Sequence, residues 1–158
     1  MNDVQKTGNK LSTRDKIVAL EKNLLSIADG DLVEGDGKEI VHSKNFPMKH
    51  TFVDGVYVRE MLMRKDSAVV GAIHKHLHVW FLLTGHLIIA TEDFKEEYIA
   101  PCYVVAEPGS KRLIYALEES RFVNIHKNPS NTEDINELEK QIVAMNYEEY
   151  QDYLNKNK

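Results

Sequence analysis

Between residues 49 and 128 the chain is a succession of short β-prone runs, each closed by a turn signal, and this rhythm constrains the fold more than any other feature. Val56–Met63 follows an Asp54-Gly55 turn, and Ala68–Ala72 is a second apolar run. Val79–Leu83 and Leu87–Ala90 flank Gly85-His86, Tyr103–Val105 follows Pro101, Leu113–Tyr115 follows Pro108-Gly109, and Phe122–Ile125 closes the series. Runs at intervals of about eight to twelve residues with turn residues between them point to an all-β sandwich or small barrel. No helical period of useful length interrupts them, which argues against a parallel sheet built from βαβ units.

Helical patterns flank this region. Ser12-Thr13-Arg14-Asp15 reads as a helix start, with an acidic residue three places after a hydroxyl, and Ile17, Leu20, Leu24 and Ile27 then recur at helical spacing. That predicts an amphipathic helix of about four turns ending near Gly30, followed by a loop from Asp31 to Pro47. After the strands, Ser130-Asn131-Thr132-Glu133 matches a capping box, and Ile135, Leu138, Ile142 and Val143 form one face. Tyr147, Tyr150 and Tyr153 follow three residues apart, a spacing expected of core or subunit-contact packing. The expected organisation is an arm, helix and linker over 1–48, a β region over 49–128 and a helical extension over 129–158. With 158 residues these form one domain around one core.

Composition removes several classes of function. A net charge of -5 without clustered Lys and Arg argues against a general nucleic-acid binder. No stretch reaches the roughly 18 apolar residues that span a bilayer, so no transmembrane helix is expected. The first ten residues lack the apolar core of a secretory signal. A single cysteine, Cys102, excludes an intramolecular disulfide and a multi-cysteine zinc site, and suits a cytoplasmic location.

The chemistry concentrates in Gly71-Ala72-Ile73-His74-Lys75-His76-Leu77-His78-Val79-Trp80. In a regular strand His74, His76 and His78 share a face. Imidazole is the commonest transition-metal donor that proteins offer, and three of them aimed into a barrel would hold a divalent ion with positions left open. Spacing alone leaves a metal site, a hydrogen-bonded histidine cluster and a solvated face as alternatives. Trp80 reads as core, His42, His50 and His86 as structural residues near turns, and Cys102 as an inert buried thiol.

The block from Gly71 to Gly109 resembles the two sequence motifs of the cupin superfamily. Counting back from Gly85, His78 takes the place of the family's glutamate and His74 that of the second histidine of its His-x-His pair. Ala72 stands where the first histidine belongs, with His76 as a substitute. Pro108-Gly109-Ser110-Lys111-Arg112 keeps the Pro-Gly turn of the second motif, with Arg112 in the histidine position. Over about Phe52 to Ala144 the chain is also similar to uncharacterised cupin-like proteins of bacteriophages. The shared features are Gly55-x-Tyr57-x-Arg59-Glu60, Ile73-His74-Lys75 with His78 and Gly85, Ala100-Pro101, Pro108-Gly109-x-Lys111-Arg112, a Glu118 turn and Ile125-His126.

The resemblance implies a mainly β fold, the cupin double-stranded β-helix (jelly-roll) barrel with flanking N- and C-terminal α-helices. In such a barrel the last strand lies beside the one carrying His78. His74, His78 and His126 then become the expected metal ligands, with His76 in reserve and iron, manganese, nickel or zinc as the cofactor, if one is bound at all. A hairpin near Glu118-Glu119 brings His126 toward Arg112. Glu60 and Arg112 are the catalytic candidates. Glu60 serves as a fourth ligand, as a general base, or as the salt-bridge partner that a barrel-facing Arg112 requires. Lys111, Arg112 and Tyr115 are the substrate-binding candidates, the two cations for a carboxylate or phosphate. The resemblance carries no assigned reaction. It leaves a metal-dependent enzyme on a small molecule beside a non-enzymatic virion component, assembly factor or modulator of a host protein. A homo-oligomer, most simply a dimer, and a cytoplasmic or virion location are expected.

Overall fold

The computed structural model describes residues 11–27 and 46–158. All but the last two residues of the expected linker, and His42 within it, lie outside that range. In chain order the elements are α1 (Thr13–Ile27), β1 (Met48–Val53), β2 (Val56–Met63), β3 (Ala68–Val70), β4 (Ile73–His74), β5 (His78–Thr84) and β6 (His86–Ala90). They continue with β7 (Lys95–Ile99), β8 (Cys102–Ala106), β9 (Leu113–Ala116), β10 (Ser120–Lys127), α2 (Ile135–Ile142), β11 (Val143–Ala144) and α3 (Tyr147–Lys156).

One sheet runs β1-β2-β10-β5-β8, a second runs β3-β9-β6-β7, and β4 pairs with β11 as a separate ribbon. Every pairing is antiparallel. Set aside β1 and the ribbon, and number the remaining eight strands in order. The first sheet then reads first-eighth-third-sixth and the second reads second-seventh-fourth-fifth. Two Greek keys folded across two sheets in this order make a jelly roll, the architecture expected.

Alternation along the strands builds the shared core. Met61, Met63, Trp80, Leu82 and Phe122 from the first sheet meet Leu87, Ile89, Ile114 and Ala116 from the second. Gly85 pins the corner between β5 and β6. Its φ is +93°, and a Cβ there would lie 2.2 Å from Ser120 Oγ and 2.4 Å from the Glu119 carbonyl oxygen, so the close crossing admits only glycine.

Several boundaries differ from expectation. The strand β7 was not expected, because Lys-Glu-Glu-Tyr-Ile is charged and lies at a sheet edge, where charge blunts further pairing. Helix α1 is capped as expected, Ser12 Oγ accepting from the Asp15 amide at 3.1 Å. Helix α2 begins after Asp134 rather than at Ser130. The Asp134 carboxylate accepts from the Asn136 and Glu137 amides, while Asn128 holds residues 128–132 in a turn. Val143 belongs to β11, not to the helix. No hairpin joins β9 to β10. Strand β9 is spent on β3 and β6, β10 on β2 and β5, and residues 117–119 carry the chain from one sheet to the other. Among the described residues no helix is long and apolar enough to cross a membrane.

Candidate metal centre

The inward side chains of the first sheet form rows across its strands. Met61, Phe122 and Leu82 stand abreast on β2, β10 and β5, and one step along, Arg59, Asn124 and Trp80 do the same. The next step pairs Tyr57 with His126 across β2 and β10, and sets His78 against Ala106 across β5 and β8. Strict two-residue alternation thus carries His78 and His126 to the same end of the interior.

His74 arrives by a different route. It sits on β4, paired with Val143 of β11, so the C-terminal extension holds it in place. The Gly109 amide donates to the His74 carbonyl at 3.0 Å, and the Gly71 amide to the Arg112 carbonyl at 2.9 Å. These two bonds lace the Pro-Gly turn to the histidine segment and bring Arg112 alongside.

His74, His78 and His126 each offer a ring nitrogen within 4.8 Å of the others. Their ring centroids lie 4.0 Å (His74–His78), 5.1 Å (His74–His126) and 4.9 Å (His78–His126) apart. Burial is the main reason that none of the three is charged at neutral pH. It pulls His74 well below the ordinary imidazole range, His78 down to about 4 and His126 down to about 2, with neighbouring imidazoles and the Arg112 cation adding to the effect. Among the described residues, Nδ1 of His74 and Nε2 of His126 are buried without a hydrogen-bond partner, as is Oδ1 of Asn124. Buried polar atoms are rarely left so. Neutral, convergent imidazoles with unspent nitrogens are a donor set that fits a divalent transition metal. His78 Nε2 accepts from Arg112 NH1 at 3.1 Å, so an ion taking that lone pair displaces the guanidinium.

The other expected site residues part company here. Arg112 is in the site, buried against His78. Lys111 is 1% exposed, but it points the other way and pairs with Glu21 of α1, so it is not available to a substrate. Tyr115 lies outside, its hydroxyl donating to Asp66 at 3.0 Å. His76 is not on a continuous strand with its neighbours. The strand breaks between β4 and β5, and His76 meets the edge of the Tyr153 ring on α3. Glu60 is three residues from the inward Tyr57 and therefore faces outward, where it pairs with Arg121 at 3.2 Å, not with Arg112. Of the remaining histidines, His50 Nδ1 lies 2.7 Å from the Tyr57 hydroxyl and His86 pairs with Glu97 at 3.2 Å. Trp80 is core, as expected.

Three contributors were missed. Asn124 shares the inward face of β10 with Phe122 and His126, and the polar residue in that alternation was a legible sign. Tyr57 is buried, its ring stacked near His126 at 6.1 Å, and its hydroxyl accepts from Arg59 Nε at 3.0 Å. Arg59 in turn pairs with Glu139 of α2, which ties the helix to this end of the sheet.

No protein-family model matches the chain, and no curated protein matches it. Among solved structures, a Cupin 2 conserved barrel domain protein from Salinispora arenicola is 13% identical, with 66% of this chain and 87% of that chain covered and a TM-score of 0.47. Ectoine synthase from P. lautus is 14% identical over 67% of this chain and 75% of that chain, with a TM-score of 0.48. The plu4264 protein from Photorhabdus luminescens is 14% identical over 68% and 97%, with a TM-score of 0.49. This chain is a jelly roll. The strand order carries that statement, and no reaction, metal or substrate passes from those proteins to this one.

Proposed function

We propose that the protein binds one divalent transition ion through His74, His78 and His126 and uses it on a small molecule. The observation that carries this reading is the pair of buried, partnerless nitrogens on His74 and His126, converging with His78 in a cluster of neutral rings. Such an ion supplies Lewis acidity to an oxygen of a bound molecule. The chain's own residues do the rest. Tyr57 and Asn124 wall the rings, β11 fixes His74, and the Pro-Gly turn sets Arg112 beside the cluster. Iron(II), manganese, nickel and zinc all suit imidazole donors. Metal analysis of untagged protein tests the reading. Near-stoichiometric metal, lost in both His74→Ala and His78→Ala, is expected, and metal-free protein that takes up none of the four ions overturns it.

The phage-protein resemblance supports a second reading, a non-enzymatic virion component or assembly factor. Apolar side chains on the outer face of edge strand β8 favour it, Tyr103 being 66% and Val105 54% exposed. Failure of the metal test together with a defect in phage assembly on deleting the gene would select this reading.

A further inference from the structure

We propose that Arg112 anchors the carboxylate of a small apolar monoacid, admitted through a cavity beside the histidine cluster. Lys111 and Arg112 are the buried cations among the described residues, and with the half-buried Arg59 they differ in one respect. Arg59 has Glu139, and Lys111 has Glu21. Arg112, only 7% exposed, has no carboxylate partner among the described residues. Its guanidinium donates to His78 Nε2 at 3.1 Å and to the Glu107 carbonyl at 3.3 Å, both uncharged acceptors. A buried cation without an anion is costly unless a ligand supplies one.

The surroundings say where the anion comes from. A cavity of about 640 Å³ reaches Arg112 and is walled by Trp80, Ile89, Tyr98 and Tyr150. Those walls suit an apolar or aromatic body. The exposed carboxylates of Glu92, Asp93, Glu96 and Glu107 line the same cavity. They repel a phosphate or any other polyanion more strongly than a monoanion, whose single negative charge one buried guanidinium balances. Its planar fork matches the two oxygens of a carboxylate. An acid seated there draws Arg112 off His78, and that contact, not the cavity lining, is what links it to the imidazoles. The inference therefore deepens the metal reading by naming the substrate class, although the unpaired state of Arg112 does not depend on an ion.

The test uses the full chain, stripped of metal with chelator, and three probes that share a phenyl ring: benzoate, its neutral near-isostere benzamide, and phenyl phosphate. Calorimetric titration is expected to show benzoate binding about tenfold more tightly than either of the others. In Arg112→Gln, benzoate falls to the level of benzamide. The Nε–H resonance of Arg112 in the native protein shifts on adding benzoate, a readout that needs no variant to fold. His74→Ala loses metal but keeps benzoate, so failure of the metal reading and failure of this one are distinguishable. Benzamide or phenyl phosphate equal to benzoate, an unmoved Arg112 resonance, or no benzoate binding overturns the proposal.

Discussion

The two ends of the barrel interior are built by the same strands and finished in opposite ways. At one end Met61, Phe122 and Leu82 face Leu87 and Ile89 of the second sheet, and every group there is satisfied by being buried. At the other, two alternations along β2, β5 and β10, the inward positions are Tyr57, His78 and His126, with Arg112 against His78. The second sheet does not close that end. The Pro-Gly turn and the ribbon of β4 with β11 do, and among the described residues His74 Nδ1, Asn124 Oδ1 and His126 Nε2 have no hydrogen-bond partner. Local rules of polar satisfaction are kept at one end and broken at the other.

The sharpest way to separate the ends is to damage the apolar one. Phe122→Ala removes a fully buried ring and is expected to cost about 4 kcal/mol in urea denaturation. Metal content per folded molecule should be unchanged, and a loss of metal would break the distinction.

Acid acts on the other end. The unfolded chain takes protons on its histidines below about pH 6.5, whereas His78 resists until about 4 and His126 until about 2. Stability of the metal-free protein is therefore full above pH 6.5 and falls as pH drops toward 4. His78 alone accounts for about 3 kcal/mol of that loss. Denaturation midpoints between pH 7 and pH 4 measure the slope, which should be shallower in His78→Gln. A flat profile would mean that these rings are not buried in a neutral state.

Arg112 gives a smaller effect of opposite sign. Its charge and its hydrogen bond both compete with an ion for His78. Arg112→Gln is expected to tighten metal binding about tenfold, or about 1.4 kcal/mol, in competition against a chelator. Unchanged or weaker binding would show that Arg112 supports the ion instead.

Glu60→Ala should do least. Its partner Arg121 is half-exposed, so the change is expected to stay within about 0.5 kcal/mol and to leave metal content alone. A large effect would return Glu60 to the site.

Alternation and turn signals made the jelly roll legible, because burial of one strand face writes itself into the residue order. They also contained the answer for Glu60, since Tyr57, Arg59 and Met61 already mark the inward parity of β2. His126 was reachable only by adding the topology that the motif resemblance implies, its partners lying some fifty residues upstream. Lys111 and Arg112 could not be told apart from the sequence. They are adjacent cations, and what separates them is Glu21, ninety residues away on α1. The role of β11 was hidden for a related reason. Two residues of strand at the end of a helical pattern form only because β4 is there to pair with them.

The central claim is that His74, His78 and His126 hold an ion in the native state. Binding to the folded protein alone raises unfolding free energy by about 2.7 kcal/mol at a ligand concentration of about 100 Kd. The direct measurement is chemical denaturation with and without saturating zinc, on native protein and on His126→Gln. The account predicts a gain of that size in the native protein and none in the variant, and equal gains, or no gain in either, would contradict it.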